Sequence, residues 1–337
     1  MQEGKIKFEA STGKISKKLD VFYNPDKKID RDLNVEILKI LKPKTGLDLL
    51  AASGIRGLRL ATECSMEMTL NDLNVKAVKL IRKNAKLNNL SVKIFNQEAN
   101  HFLNSYKGKF DYVDVDPFGP PIQFLDGAII KSKKWIGVTA TDSSALCGSY
   151  PKACLRKYGS KPLKTKYCHE LGIRILISYC IKTGAKYDIG LIPIFSYSRK
   201  DYFRVYFKIV KGAKKCDELL KKIGYWQDKE LNMSVYELGE KSYENVCGPL
   251  WLGELWDEKL VNKLPKTPFL NLIKNESVIK TIGFYHLPQI FSKTKKNMKR
   301  ELLIEKLQKK GFKASRTHFD LQGIRTNAKF EEIIPLL

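Results

Sequence analysis

Short apolar runs alternate with helical patterns between Thr45 and Val210. Such alternation is typical of a mainly parallel sheet whose strands are joined by crossover helices. The apolar runs predict seven strands, at residues 46–52, 67–70, 92–95, 112–115, 135–140, 187–194 and 204–210. Between the second and third of these strands, apolar residues recur at helical spacing and predict an amphipathic helix over 75–87 with a basic outer face.

The strand–helix alternation ends at the polar segment 211–215, which contains Gly212. A chain of 337 residues is long enough for two domains, and we place the boundary there, with one domain over 1–212 and a second over 213–337. The second part carries Gly248-Pro249-Leu250-Trp251, a basic helix-like stretch over 293–310, and Arg316-Thr317-His318-Phe319.

The charge of the chain is strongly positive. Sixty-one lysines and arginines against 36 acidic residues give a net charge of +25, which favours a polyanionic partner, above all nucleic acid.

The longest apolar runs are only strand-length, and the first residues form no apolar signal segment, so we expect a cytoplasmic protein without membrane insertion. Nothing in the sequence indicates an obligate protein partner.

The seven cysteines are scattered and form no C-x-x-C pair. This pattern predicts reduced, mostly buried thiols rather than a disulfide framework or a four-thiolate zinc site. The four histidines, at positions 101, 169, 286 and 318, also lack the spacing of metal ligands, so no residue is assigned to a metal. For His318, beside Arg316, a phosphate contact and simple packing both remain open.

Polar groups follow the first three predicted strands. The first strand runs into Ser53-Gly54-Ile55-Arg56-Gly57, where small residues would let a nucleotide-like ligand approach the start of a helix. The full dinucleotide motif is absent, because Ala52 replaces its first glycine, and Gly54 could simply end a strand. Asp72 follows the second strand, where a carboxylate can accept both hydroxyls of a ribose, and Glu98 follows the third. Together these positions favour a nucleoside cofactor.

The fourth predicted strand ends in Asp116-Pro117-Phe118-Gly119. A planar substrate amine could donate hydrogen bonds to Asp116 and to the Pro117 carbonyl while Phe118 packs on its ring. This arrangement would direct the nitrogen at a methyl donor. If the amine is the exocyclic amine of guanine, it is a poor nucleophile, so a carboxylate must accept its proton while the methyl group is transferred to it, and Asp116 is the candidate. The alternative is a strand-ending turn, since the segment is rich in turn formers. After the fifth strand, Asp142 could shape the substrate mouth or cap the next helix.

Motifs spread over almost the whole chain resemble the tRNA (guanine-N2)-dimethyltransferase family in its archaeal form. The motifs that carry the resemblance are Phe22-Tyr23-Asn24-Pro25, Arg31-Asp32, Ala51-Ala52-Ser53-Gly54-Ile55-Arg56-Gly57-Leu58-Arg59, Asn71-Asp72-Leu73-Asn74, Asp116-Pro117-Phe118-Gly119-Pro120, Thr139-Ala140-Thr141-Asp142, Gly248-Pro249-Leu250-Trp251 and Arg316-Thr317-His318-Phe319. The resemblance implies a Rossmann-like class I methyltransferase domain with a seven-stranded mixed sheet, followed by a smaller α/β domain that binds tRNA.

The resemblance also implies an activity and a site. The enzyme would transfer two methyl groups from S-adenosylmethionine to the N2 atom of guanosine 26 in tRNA. Phe22 and Phe118 would hold the extruded base, and their rings would replace the stacking that the base loses when it leaves the tRNA fold. Asp116 and Pro117 would face both cofactor and guanine. The rest of the expected cofactor site consists of Arg31, Ser53, Gly54, Arg56, Asp72, Glu98 and Ala99.

The chain departs from the family in one place, because many relatives carry paired cysteines before the G-P-L-W motif whereas residues 225–246 here contain none. A structural zinc is therefore not expected, and the second domain should be held by its own core, including Trp226, Trp251 and Trp256. Three other functions are alternatives: an amino-methyltransferase acting on DNA or another RNA, an inactive RNA-binding protein, and a nicotinamide oxidoreductase.

Overall fold

The computed structural model describes residues 1–10, 20–238 and 246–337 and contains two compact units. The first unit comprises Met1–Pro117, Pro121–Thr139 and Phe207–Val210, and the second comprises Phe118–Pro120, Ala140–Tyr206 and Lys211–Leu337. The predicted domain boundary after residue 212 rests on the loss of strand–helix alternation and stays a prediction. Residues 239–245 of the cysteine-free stretch 225–246 lie outside the described residues.

One sheet of seven strands dominates the fold. The chain begins with a separate pair of short strands, β1 (Gln2–Glu3) and β2 (Ile6–Lys7). The seven strands of the large sheet come after this pair. They are β3 (Thr45–Asp48), β4 (Glu67–Asn71), β5 (Lys93–Phe95), β6 (Phe110–Val115), β7 (Ser132–Ala140), β8 (Ile189–Arg199) and β9 (Tyr202–Lys211). Their order across the sheet is β5-β4-β3-β6-β7-β9-β8, and the first five are parallel. Only two residues join β8 to β9, a connection short enough for antiparallel strands alone, so the sheet is mixed.

Helices alternate with the parallel strands, as predicted. They are α1 (Lys28–Leu41), α2 (Ile55–Glu63), α3 (Val75–Leu87), α4 (Ala99–Ser105) and α5 (Ile122–Lys131). All seven predicted strands are present, with ends shifted by up to five residues. The α3 helix is confirmed, but its buried stripe is narrower than the apolar pattern suggests: Val78 and Ile81 are buried, whereas Val75 and Leu87 are about half exposed.

The second unit contains most of the remaining elements. Its helices are α6 (Ser143–Leu146), α7 (Pro151–Tyr158), α8 (Cys168–Ala185), α9 (Ala213–Leu220), α10 (Glu258–Lys263), α11 (Pro268–Ser277), α12 (Leu287–Thr294), α13 (Arg300–Lys309) and α14 (Phe330–Ile333). Its two small sheets have the orders β11-β10-β12 and β13-β15-β14. Their strands are β10 (Ile223–Lys229), β11 (Asn232–Glu237), β12 (Cys247–Trp251), β13 (Tyr285–His286), β14 (Ala314–Arg316) and β15 (Gly323–Thr326).

The second unit has the expected tryptophans in its core but no continuous basic helix. The three tryptophans predicted for its core, Trp226, Trp251 and Trp256, are all buried. The basic stretch 293–310 is not one helix: α12 ends at Thr294, Lys295 has a left-handed φ of 57°, and α13 begins at Arg300. A left-handed residue ends the helical hydrogen-bond pattern, so the stretch is two helices joined by an exposed turn.

A buried polar network lies inside the second unit. Arg325 bonds Glu170 (2.6 Å) and Glu276 (3.1 Å), and Glu276 also accepts a hydrogen bond from Thr317 (2.5 Å). The His318 ring contacts the same Glu276 carboxylate at 2.5 Å, and its side chain is only 1% exposed. Of the two uses left open for His318, the structure therefore shows packing.

All seven cysteines are free thiols, and four of them are buried, as predicted. None of the helices that the structure describes is long and apolar enough to cross a membrane.

Candidate active site

Most of the predicted site residues follow the carboxyl ends of adjacent parallel strands, whereas Phe22 and Arg31 precede the first strand of the sheet. The strand order reverses at the centre of the sheet: β4 and β5 lie on one side of β3, and β6 lies on the other. Open α/β sheets bind ligands in the crevice that such a reversal creates, because the two flanking connections leave in opposite directions. The ends of β3 and β6, which carry Asp48 and Asp114 in register, mark this position.

The turn between β3 and α2 is built for close approach to its backbone. Ala52 and Gly54 both have left-handed φ angles, 48° and 78°. A side chain at Gly54 would be strained by that conformation, and its Cβ atom would lie 2.9 Å from Ile81. One turn later, a Cβ atom at Gly57 would lie 2.9 Å from Leu70, so α2 packs tightly on the sheet. This is the shape that the small residues predicted, although the first glycine of the dinucleotide motif is absent.

Asp72 supports that turn. Its Oδ2 atom accepts a hydrogen bond from the Ala52 N–H (2.7 Å), and its Oδ1 atom accepts one from the Asn74 N–H (2.8 Å). An ionised carboxylate has about four acceptor positions, so these bonds leave acceptor capacity for a ligand. The structure thus brings Asp72 to the turn that contains Ser53 and Gly54, and their shared role in binding a cofactor stays a prediction.

Glu98 and Ala99 lie at the start of α4. The Glu98 carboxylate caps this helix by accepting from the His101 N–H at 2.8 Å, and Ala99, its first residue, is buried. Asn71 connects this region to the centre of the sheet, because its amide donates to the carbonyls of Leu49 and Gln97. These contacts hold the ends of three neighbouring strands in fixed relative positions.

Arg56 and Asp116, predicted from separate motifs, are in direct contact. The Arg56 Nη2 atom lies 2.6 Å from Asp116 Oδ2 and 2.5 Å from Asp30 Oδ2, and its Nε atom lies 3.5 Å from Asp114. A second cation, Lys27, lies 2.6 Å from the other Asp116 oxygen, Oδ1. We refer to Lys27, Asp30, Arg56, Asp114 and Asp116 as the charge cluster.

The buried carboxyl of Asp48 borders the charge cluster. Burial, together with the negative charges of Asp114 and Asp116, raises the pKa of Asp48 to about 7, although Arg56 and the Gly57 N–H act in the opposite direction. Asp114 also accepts a hydrogen bond from the Tyr112 hydroxyl.

Arg31 fastens the segment that carries Phe22. It forms a two-pronged ion pair with Glu3, at 2.7 and 2.8 Å, and also donates to the Asn24 carbonyl at 3.1 Å. Its guanidinium lies over the Tyr23 ring, 5.1 Å from the centroid. The contacts of Arg31 hold the loop that follows Phe22. Phe22 itself is half-buried. Its part in binding a cofactor stays a prediction.

Phe118 and the turn after it belong to the second unit. The Phe118 side chain is 47% exposed, an unusual degree for an aromatic residue without a polar group. Two hydrogen bonds fix the turn: the Gly119 N–H donates to the Thr141 hydroxyl (2.6 Å), and the Thr141 N–H donates to the Gly119 carbonyl (3.0 Å). The Asp142 carboxylate does not cap α6; it accepts from the Tyr158 hydroxyl at 2.7 Å.

Sequence reasoning missed several residues that shape the site. Lys27, Asp30 and Glu3 are far from Asp116 in the chain, and only the packing of α1 and the N-terminal pair brings them near Arg56 and Arg31. Asp48 was also missed, although the sequence carries a signal for it. An acidic residue inside an apolar strand indicates a buried carboxyl that needs a partner.

The fold and the site together define an α/β enzyme that binds a nucleoside. Its acidic residue Asp116 follows β6, next to the point where the strand order of the sheet reverses. A family model described as N2,N2-dimethylguanosine tRNA methyltransferase matches residues 3–337, so the chain belongs to this family. The resemblance seen in the sequence motifs, and the fold it implied, are confirmed.

Individual relatives agree with this assignment over nearly their full lengths. The tRNA (guanine(26)-N(2)/guanine(27)-N(2))-dimethyltransferase of Aquifex aeolicus is 39% identical, with 95% of this chain and 90% of that protein covered. The tRNA (guanine(26)-N(2))-dimethyltransferase of Pyrococcus horikoshii is 37% identical over 99% of this chain and 96% of that protein. A solved structure of Trm1 from Pyrococcus horikoshii with S-adenosyl-L-methionine matches with a TM-score of 0.92 and 36% identity, covering 100% and 98% of the two chains.

Proposed function

We propose that this enzyme transfers two methyl groups from S-adenosylmethionine to the N2 atom of guanosine 26 in tRNA. The observation that carries the proposal is full-length membership of the dimethyltransferase family, with an acidic residue held at the strand end where an N2 proton must be received. The cytoplasm, where tRNA is used, is the proposed location.

The residues at the sheet edge fit the proposed cofactor. The left-handed turn at Ala52 and Gly54 leaves room for a ligand to approach the first turn of α2, and Asp72 retains acceptor capacity for ribose hydroxyls. Ser53, Glu98 and Ala99 would complete the nucleoside side of the site, and Pro117 would border its reactive end. When bound, S-adenosylmethionine supplies an electrophilic methyl group, and its sulfur keeps the electron pair of the bond that breaks.

Asp116 would direct the guanine amine and receive its proton. The N2 lone pair forms the bond to the methyl carbon while one N2–H proton passes to the Asp116 carboxylate. The Pro117 carbonyl would accept the other N2–H in the first transfer. Arg56 keeps the acceptor oriented, because it holds Asp116 Oδ2 while its other contacts anchor it to Asp30 and Asp114.

Phe22 and Phe118 would hold the base. A guanine within a folded tRNA is stacked, and an aromatic pair can replace that stacking after the nucleotide is extruded. The exposed part of Phe118, which is 47% exposed, supports this role, because covering apolar surface with a base is favourable. Phe22 is partly buried, and Arg31 holds the loop that follows it, which would fix this ring before a base binds.

Methyl transfer to matched tRNA transcripts tests the proposal. With labelled cofactor, a transcript carrying guanosine 26 should accept label, and the same transcript with adenosine 26 should not. Label in both transcripts would place the acceptor elsewhere in the tRNA. Label in neither, together with transfer to duplex DNA, would favour an amino-methyltransferase acting on DNA.

A further inference from the structure

Both oxygens of the Asp116 carboxylate contact a cation. Arg56 Nη2 lies 2.6 Å from Oδ2, and Lys27 Nζ lies 2.6 Å from Oδ1. The Asp116 and Lys27 side chains are only 14% and 12% exposed. The contact with Lys27 is therefore a partly buried ion pair at the atom that the proposed function requires as proton acceptor.

The two cations are held in different ways. Arg56 lies in the first turn of α2, is 7% exposed, and also contacts Asp30 and Asp114, so its guanidinium is fixed by several carboxylates. Lys27 ends a one-turn 3-10 helix, Pro25–Lys27, directly before α1. A lysine carries a compact charge on a flexible four-carbon chain, so its ammonium can leave by side-chain rotation alone. Arg56 is the permanent partner and Lys27 the exchangeable one.

We propose that Lys27 is a displaceable counter-ion of Asp116, which occupies Oδ1 until the amine of a guanine base takes its place. The inference rests on the proposed function, because it assigns Asp116 Oδ1 to the N2 amine. Both groups are N–H donors that seek the same carboxylate oxygen, so entry of the base and departure of the ammonium are coupled. Lys27 is thus a positioning residue that acts through Asp116.

The exchange would change the basicity of Asp116 at the useful moment. While the ammonium is bound, two cations favour the ionised carboxylate and make it a weak proton acceptor. When the guanine amine replaces the ammonium, one of these two cations has left, and the carboxylate becomes a better acceptor. After the first methyl transfer the proton must leave Asp116, and return of the Lys27 ammonium favours that loss, because a nearby cation stabilises the ionised form.

The charged groups recorded around Asp116 come from five elements. They are Lys27 from the 3-10 turn, Asp30 from α1, Arg56 from α2, Asp48 from β3 and Asp114 from β6. The proposal predicts that removal of Lys27 alone changes how Asp116 responds to pH, because the four other groups stay in place.

The test compares the pH dependence of kcat/KM for tRNA methylation in the wild type and in Lys27→Met, because this ratio reports the ionisation of the free enzyme. Without the ammonium, the acid limb of the profile should move up by about one pH unit, which is the effect of one nearby opposite charge. Above that limb the variant should exceed the wild type by roughly twofold to fivefold, because the base no longer has to break an ion pair. The two profiles should therefore cross.

Two matched variants control the test. Lys27→Arg keeps a cation at the position and should retain the acid limb of the wild type. Lys28→Met removes the neighbouring exposed lysine, which pairs with Asp32, and should leave the profile unchanged. Binding of S-adenosylmethionine to each variant, measured by calorimetry, reports whether the fold is intact.

Two results would overturn the proposal. One is a Lys27→Met profile that lies below the wild type by the same factor at every pH, which would assign Lys27 to tRNA binding or folding. The other is a profile identical to the wild type, which would show that the ion pair has no part in the reaction. Failure of the proposed function would look different, because the wild type itself would then methylate no tRNA.

Discussion

The proton-accepting role of Asp116 can be separated from its structural role by changing one atom. Asp116→Asn keeps the shape of the side chain but removes the negative charge that receives the N2 proton. We expect methyl transfer to fall by roughly a hundredfold to ten-thousandfold, the usual contribution of a general base. Binding of tRNA should stay nearly intact. Single-turnover methylation and equilibrium tRNA binding, measured side by side, check this; a wild-type rate in the variant would remove Asp116 from the chemistry.

A stacking role for Phe22 predicts a selective loss. Phe22→Ala should lower methylation of tRNA while leaving cofactor affinity unchanged, because an aromatic contact with an extruded base contributes roughly 1 to 3 kcal/mol. Phe22→Tyr, which keeps the ring, should retain most of the activity. Titration of each variant with S-adenosylmethionine provides the comparison. An equal fall in cofactor affinity and methylation would make Phe22 a structural residue.

At the scale of single residues, motifs revealed the groups that share a short segment and missed those that packing brings in. Asp116 was identified because an acidic residue, proline and aromatic residue follow one another in the chain. Its partners Arg56 and Lys27 lie 60 and 89 positions away, and no local pattern links them to it. Glu3 could not be assigned either, since its ion pairs with Arg31 and Arg59 depend on where the N-terminal strands lie.

Among the elements of the second unit, the ion pairs of Glu276 connect α11 with β15 and the segment after β14. Burial by itself would raise the pKa of Glu276, but the charges and hydrogen bonds of His318, Arg325 and Thr317 outweigh it and lower the pKa from 4.5 to about 2. A depressed pKa stabilises the fold above the unfolded value of 4.5, and that contribution is lost as the pH falls from about 4.5 towards 2.

Glu276→Gln should therefore remove part of the acid sensitivity of the fold. We expect the variant to be less stable at neutral pH by about 3 to 5 kcal/mol, because Arg325 loses one buried carboxylate partner. The decrease in unfolding free energy below pH 4.5 should also be smaller than in the wild type. Denaturant unfolding at a series of pH values measures both effects.

An exposed glutamate provides the control for this series. Glu305 pairs with Lys309 on the surface of α13, and Glu305→Gln should leave the stability curve unchanged. If Glu276→Gln kept the full acid sensitivity of the wild type, the buried network would not be its source.

At the scale of elements, the period of the apolar pattern predicted existence and type better than ends. Most of the seven sheet strands can be recognised in the sequence because they carry runs of apolar residues that the fold buries, as in β8. The short edge strand β5 differs, because Lys93 is exposed and Ile94 and Phe95 are only partly buried. The stretch 293–310 was misread as continuous, since lysines are good helix formers and hide the break. The left-handed Lys295 has no signal in its residue type. Strands of two residues, such as β1 and β2, are too short to show a period.

For the whole molecule, the charge of +25 predicts that tRNA binding weakens steeply with salt, because phosphate contacts release counterions. Lys295, Lys296 and Lys299 are exposed in and beside the turn between α12 and α13. Their joint replacement by glutamine should reduce the slope of log affinity against log salt by about 0.7 to 0.9 for each phosphate contact that is lost. Filter binding across a salt series measures this slope.

A second basic surface serves as control. Lys79, Arg82 and Lys86 are exposed on α3, where solvation is the simpler role. Replacing these three with glutamine should leave the slope unchanged. Equal reductions in both variants would mean that tRNA responds to net charge rather than to the turn between α12 and α13.

The metal content of the molecule is a further expectation. A structural zinc site usually takes four Cys or His ligands. Among the described residues, Cys147, Cys168 and His169 form a group whose ligand atoms lie within 4.8 Å of one another, one ligand short of that number. Sequence spacing could not reveal this group, because 20 residues separate Cys147, which follows α6, from Cys168, which begins α8. We expect no stoichiometric zinc and full activity in a strong chelator. One zinc per chain, lost in Cys168→Ser but kept in Cys64→Ser, would contradict this.

Mass spectrometry of the reaction product shows whether the enzyme places two methyl groups on one nucleotide of tRNA. An unmodified tRNA transcript is incubated with the enzyme and S-adenosylmethionine and digested with a nuclease, and its fragments are sequenced by mass to locate the modified nucleotide. The released nucleoside is compared by chromatography with an N2,N2-dimethylguanosine standard, because isomers with methyl groups on other atoms have the same mass. We expect two methyl groups on guanosine 26, both on N2, from the wild type, and far less of this product from Asp116→Asn after the same short reaction time. Methyl groups on another atom or nucleotide, or an unchanged product from that variant, would contradict this expectation.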